Sequence, residues 1–293
     1  MKTDVYQEVT NQVVEMMETA GANWIKPFEA LAGGMPMNAT TGNEYRGINV
    51  LLLAMAGGQH WASFKQWQTK GAQVRKGEKG TRIVFFKMLE RENAKGGTDK
   101  FPMIRYSTVF SADQVDGWDA PAAPERPVSA VEAIAAADAW VEATGAEVRF
   151  NDHGRCFYSP GQDFISMSQP SSFTATPTST QSELYYATLL HELTHWTGSE
   201  HRLARTKGKR FGDDAYAMEE LVAELGAAMQ CVMLGVTNEP REDHAHYLNG
   251  WLTALKGDKR LIFTAAAEAQ KACDFIRLAV DVRQTVQSAA QAA

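Results

Sequence analysis

Apolar residues recur at helical spacing over about 3–20, and again in a short, almost wholly apolar run at 47–56. Between them, Pro27, Gly33-Gly34 and Pro36 mark irregular chain. "SFKQWQTKG" predicts a further short helix with Ser63 as its cap. "GTRIVFFKMLE" and "PMIRYSTVFS" read as two strands, joined as a long hairpin by the polar segment 91–100. Beyond residue 128, "SAVEAIAAADAWVEATGA" is expected to be a helix capped by Ser129 and stopped at Gly145. Short strands follow at 147–152, 156–160 and 163–167. A Ser/Thr-rich loop then leads into a helix around residue 190, and three more helices are expected at 214–235, 241–256 and 258–290.

The pattern describes an α+β protein in two parts. Pro121, Pro124 and Pro127 recur every third residue in "DAPAAPERPV", which suits an extended linker rather than a helix. The expected division is a small α+β domain over 1–118, a linker over 119–128 and a second domain over 129–293. A chain of 293 residues has length enough for two cores.

Composition changes this picture little. The chain is 44% hydrophobic and 22% charged, as in soluble globular proteins. No apolar run approaches the ~18 residues that cross a bilayer. The acidic, amphipathic start lacks the features of a signal peptide, so a cytoplasmic location is expected, without membrane partners. Cys156, Cys231 and Cys273 are far apart and form no CxxC, and are read as small apolar residues in a reducing compartment. Charge is divided unevenly. Residues 1–118 carry 14 Lys/Arg against 12 Asp/Glu, or +2, and the rest carries 15 against 23, or −8. A polyanion would prefer the first part.

"LLHELTHWTGSEH", residues 189–201, holds the chemistry. Residues four apart share a helix face, so His191 and His195 can turn their imidazoles toward one ion. Glu192 follows on the flank of that face, where a carboxylate can take the proton of a metal-bound water. Such a site implies Zn2+ and peptide hydrolysis. The third ligand is open among three residues. Glu220 lies on the later helix "AYAMEELVAELGAAM", the arrangement of thermolysin-like gluzincins, with Glu224 one turn on to orient a ligand histidine. His201 would complete the metzincin string H-E-x-x-H-x-x-G-x-x-H, although no methionine falls where that class needs a turn. Glu224 itself is the third alternative. Glu220 is preferred. Glu219, rotated by about 100° from Glu220, is expected to face away. Tyr216 on the same helix is a candidate oxyanion donor, and His244 and His246 are read as a helix-surface pair.

Residues 65–91 hold eight Lys/Arg and two Glu, with Trp67, Phe85 and Phe86 interleaved. Cations neutralise phosphates and aromatic faces stack on unpaired bases. Lys65, Trp67, Lys70, Arg75, Lys76, Lys79, Arg82 and Lys87 are therefore the candidate DNA-binding residues. If the segment is a strand, one of Phe85 and Phe86 should turn to the core.

Taken together, "YRGINVLLL", "WASFKQWQTKGAQVRKGEKGTRIVFFK", "HELTHWTG" and "FGDDAYAMEELVAELGA" resemble the ArdC family of antirestriction proteins of conjugative plasmids. The resemblance covers nearly the whole chain, and its stretch from Tyr45 to the KGEKG at 76–80 is the specific part. It implies an N-terminal domain that binds single-stranded DNA and a C-terminal zincin-like metallopeptidase domain similar to that of Spartan. It also implies protection of incoming plasmid DNA from restriction, with a DNA-bound protein or a restriction enzyme as a further partner. Family members often carry a histidine directly after the glycine of the motif. This chain has Ser199 there, which counts against His201. The competing reading is a DNA-coating protein without catalysis, its zinc site structural or vestigial.

Overall fold

The computed structural model describes residues 4–31, 34–93, 97–120, 130–205, 214–237 and 244–291. Most of the linker expected at 119–128 therefore lies outside the described residues, as does Ser129.

Helix α1 (Val5–Ala20) starts at Asp4, whose carboxylate accepts from the Gln7 N–H, and runs into a 3-10 segment over Gly21–Leu31. Strand β1 (Met37–Asn38), helix α2 (Ile48–Ala56), strand β2 (His60–Ala62) and helix α3 (Phe64–Thr69) follow. Ser63 and Gln66 form a reciprocal capping box at the start of α3. Strand β3 (Gln73–Val74) pairs with β6 (Val115–Asp116). Between them run β4 (Thr81–Glu92) and β5 (Thr98–Ser111), one antiparallel ribbon from Thr81↔Val109 to Glu92↔Thr98. The first sheet has the order β1-β2-β5-β4.

The ribbon is fully covered only at its base, and in part as far as Ile104, opposite Phe86, which packs against the main core. Ile83 and Val84 are both buried, on opposite faces, Val84 in the main core and Ile83 against Leu53, Trp61 and Val109. Farther out, Phe85 is 56% and Phe86 51% exposed, so neither ring enters the core as alternation had suggested. The ribbon projects past the elements that would bury one face; Phe86 only meets the edge of Phe263 at 6.4 Å.

Helix α4 (Ala130–Thr144) opens the second part, followed by β7 (Glu147–Asn151), β8 (Phe157–Ser159) and β9 (Phe164–Ser168). Their sheet has the order β7-β9-β8, with β7 parallel to β9 and β8 antiparallel at the edge. Helices α5 (Gln181–Thr197), α6 (Asp214–Leu234), α7 (His244–Gly257) and α8 (Leu261–Gln291) complete the fold. The α+β expectation holds, and the helix bounds follow the hydrophobic periodicity closely.

The largest buried cluster joins both parts of the chain. It runs from Val5 through Trp24, Leu51 and Val84 to Leu221, Trp251 and Ala266. Helix α8 comes close because it presents Ala265, Ala266, Ala269 and Ala272, all fully buried. Ion pairs trim the seam: Lys256–Glu18 and Lys259–Asp4 at 2.6 Å each, and Arg277–Glu44 at 3.0 Å. Cys231 and Cys273 are buried and Cys156 partly so; all three are free thiols. No described helix is long and apolar enough to cross a membrane.

Candidate metal centre

Helix α5 is set by a capping box, Thr180 with Glu183, and ends at Gly198. Its second half is buried except for His195, which is partly so, because α6 packs along it at close range. Gly226 of α6 makes this possible: a Cβ there would stand 2.5 Å from Thr194 Cγ2. Gln230 ties three helices across the same seam. Its amide donates to Thr194 Oγ1 at 2.8 Å and accepts from Trp140 Nε1 at 2.9 Å.

This packing gathers His191, His195 and Glu220, whose ligand atoms all lie within 4.8 Å of one another. His191 Nε2 is 3.5 Å and His195 Nε2 3.6 Å from the Glu220 oxygens. Donors held 2.0–2.1 Å from a tetrahedral ion stand about 3.3 Å apart, so the three side chains fit a small divalent cation. Among the described residues this is the only such group, and His201 is not part of it. His201 is exposed on the turn after α5.

Each imidazole is backed by an acid. His191 Nδ1 lies 3.0 Å from Glu224 Oε1, the contact expected of a residue one turn beyond Glu220. His195 Nδ1 lies 3.2 Å from Glu219 Oε1. The expectation that Glu219 faces away is thus corrected. The contact surface of α6 is wide enough to turn both 219 and 220 toward α5, and His195 stands one turn past His191 to meet the former.

Glu219 is also bound by Arg205, which the sequence reading missed. The Arg205 guanidinium, 4% exposed, donates to both Glu219 oxygens at 2.9 and 3.0 Å, to Thr194 O at 2.6 Å and to Thr197 Oγ1 at 2.8 Å. It lies against Gly198, where a Cβ would come 2.7 Å from Arg205 Nη2 and 2.9 Å from Cζ. The glycine of the motif therefore serves contact here rather than a left-handed turn, since its φ is −80°. Gly198→Ala is expected to destabilise the protein by about 1–3 kcal/mol, because the guanidinium is pinned and cannot swing away. Chemical denaturation measures this.

The charges are mutually dependent. Burial alone would lower the pKa of His195, but Glu220 and Glu219 outweigh it and push it up to about 10. Burial opposes ionisation of Glu219, yet His195 and Arg205 hold it down at about 2. Glu220 is likewise held far below the carboxylate range by His195 and His191, against its own burial.

Glu192, 4% exposed, accepts the backbone N–H of Tyr158 at 2.9 Å. This bond joins the edge strand β8 to α5. Tyr216 is half-buried, with its hydroxyl 3.2 Å from that of Tyr247. Burial, the bond to Tyr247 and the nearby charge of Glu220 all raise its pKa, so it remains a neutral phenol. The turn after α5 is fastened by Arg202, which lies 3.7 Å over Trp196 and pairs with Asp163 in the β8–β9 turn.

The candidate DNA-binding residues divide. Lys65, Lys70, Lys76 and Lys79 are exposed. Arg82 is exposed but pairs with Glu8 at 3.1 Å. Arg75 is held by Glu78 and Asp116. Trp67 is fully buried, its indole N–H donating to Phe110 O at 3.0 Å, and cannot stack on a base. The side chain of Lys87 and those of His244 and His246 lie outside the described residues.

Residues 3–110 match the N-terminal domain of anti-restriction factor ArdC, and residues 135–268 a zincin-like metallopeptidase domain. The protein y4eC of Sinorhizobium fredii is 37% identical over 292 residues, 94% of this chain and 92% of that one. A DNA primase TraC of Escherichia coli is 36% identical across 100% of this chain, which spans only 29% of the primase. The metal-free crystal structure of antirestriction protein ArdC from plasmid R388 superimposes with a TM-score of 0.79 at 38% identity, covering 95% of this chain and 98% of that one. The Mn(II)-bound form of the same protein gives 0.77 at 37% identity, with the same coverage. With both domains matched in order and a solved relative matched almost end to end, this chain belongs to the ArdC family of antirestriction proteins and carries a zincin-like domain after its ArdC-type N-terminal domain.

Proposed function

We propose that this protein is a metallopeptidase directed to single-stranded DNA. On this reading residues 1–118 bind the DNA, and residues 129–293 cut a protein bound to it, which protects incoming plasmid DNA from restriction. The observation that carries the proposal is the composition of the site: three protein ligands with a buried carboxylate beside them. A purely structural zinc site ordinarily has four protein ligands and needs no base.

His191, His195 and Glu220 would hold the ion, and two imidazoles favour zinc, while the Mn(II) form of R388 ArdC supports a divalent ion in this family. When bound, zinc supplies Lewis acidity toward a carbonyl and lowers the pKa of water to about 7. Glu224 and Glu219 hold the two rings by Nδ1, so that Nε2 of each is turned to the shared position. Glu192 Oε2 is fixed by the Tyr158 N–H, and Oε1 takes the proton of the attacking water. Tyr216, kept protonated, is a hydrogen-bond donor for developing negative charge on the substrate oxygen.

Metal entry must displace the His195 proton. Its pKa of about 10 means the metal-free ring is charged at neutral pH. Apparent metal affinity should therefore rise roughly tenfold per pH unit between about 7 and 9, and level off above 10. Competition titration against a chelator of known pH dependence reads this directly; a flat profile would mean His195 is already neutral.

On the DNA side, the exposed Lys76 and Lys79 are expected to contact phosphate. Lys76→Ala with Lys79→Ala should weaken single-strand binding for all sequences and reduce its salt slope by about 1.4, two contacts at ~0.7 each. An unchanged slope would remove both from the interface.

A further inference from the structure

Phe64 of α3, strand β3 and the first residues of the KGEKG segment line an open recess of about 540 Å³. Phe64, Val74 and Phe110 form its apolar walls, and Arg75 and Lys76 its basic edge. Phe64 is 43% exposed and meets Phe110 edge to face at 6.4 Å. The walls are fixed from behind. Ser63 and Gln66 cap the helix on which Phe64 sits, and the buried Trp67 bonds the carbonyl of Phe110. Trp67, expected on the binding surface, is thus a buttress, and Phe64 holds the exposed aromatic position instead.

Arg75 is also immobilised. Its guanidinium pairs with Glu78 at 3.2 Å and with Asp116 at 3.3 Å, and donates to Val115 O and Asp113 O. A planar guanidinium fixed in this way can stack on a flat ring. The two acids also cancel the charge of Arg75 and Lys76, so the recess does not favour an anion within it. It suits a neutral, planar group with hydrogen-bonding edges, whose own negative charge stays outside, near the exposed Lys65 and Lys76.

We propose that this recess is a nucleobase pocket: one unstacked base of the single strand enters beside Phe64, and its flanking phosphates rest on Lys65 and Lys76. The inference rests on the single-stranded-DNA reading above and adds a specific subsite to it. Carboxylates on the wall accept from exocyclic amino groups. Cytosine, adenine and guanine carry these groups, and thymine does not. Oligo-dC should therefore bind more tightly than oligo-dT of equal length.

The test compares full-length wild type with Phe64→Ala by fluorescence anisotropy, on oligo-dC and on an equally long abasic oligodeoxyribose phosphate. Phe64 is exposed enough for its loss to leave the fold intact, and Phe64→Trp provides a stacking-competent control. The expected result is that Phe64→Ala weakens oligo-dC about tenfold, leaves the abasic strand unchanged, and is reversed by Phe64→Trp. Equal affinity of Phe64→Ala and wild type for oligo-dC would overturn the pocket and leave DNA binding standing, as would an equal loss on both strands. Failure of wild type to bind either strand would overturn the DNA-binding reading and the pocket with it.

Discussion

Glu192→Gln should leave one divalent ion per chain and lower the rate of peptide cleavage by about 10²–10⁴. Glutamine is the informative replacement because its carbonyl oxygen can still accept the Tyr158 N–H, so the bond from β8 to α5 survives. Alanine would leave that buried donor without its partner and mix a folding effect into the kinetics. The amide cannot take a proton at neutral pH, and the loss should therefore fall on turnover, not on metal content. In a conjugation assay, protection of incoming DNA should fall with it. Full protection by Glu192→Gln would favour the DNA-coating reading.

The second large effect is at Glu219. Its removal leaves two cations, Arg205 and His195, buried without the carboxylate they share. Glu219→Ala should cost about 3–5 kcal/mol in the metal-free protein, the usual scale for breaking a buried ion pair. Metal affinity should also fall about 10–100-fold, since His195 loses the group that orients its ring. The two losses are separable. Replacing the pair together, Glu219→Leu with Arg205→Met, should recover much of the stability while leaving metal affinity low. Recovery of both would show that Glu219 acts only in packing. Calorimetric unfolding and chelator competition provide the two readings.

Much of this was legible from residue spacing. The i, i+4 pairs His191/His195 and Glu220/Glu224 depend only on helix geometry, and both helices were evident from periodicity. What escaped was set by contacts distant in sequence. Trp67 lies in a short polar helix whose pattern suggests exposure, but the strand that buries it arrives 43 residues later at Phe110. Phe85 and Phe86 obey strand alternation, yet the ribbon extends past the layers that would make one face interior. Its rotation of about 100° from Glu220 turns Glu219 away only from a single partner, whereas α5 presents two imidazoles a turn apart. Arg205 carries no motif. Only Gly198, whose missing side chain leaves room for the guanidinium, hints that something packs there.

The most direct test of a peptidase directed to single-stranded DNA is cleavage of a DNA-bound protein by the zinc-loaded chain, with and without single-stranded DNA, beside Glu192→Gln. Cleavage by wild type alone, stimulated by the DNA, is the expected result, and it would join the two domains in one mechanism. Intact DNA binding with no cleavage of the bound protein or of the chain itself, in any lane, would contradict it and leave the metal as a scaffold for a coating protein.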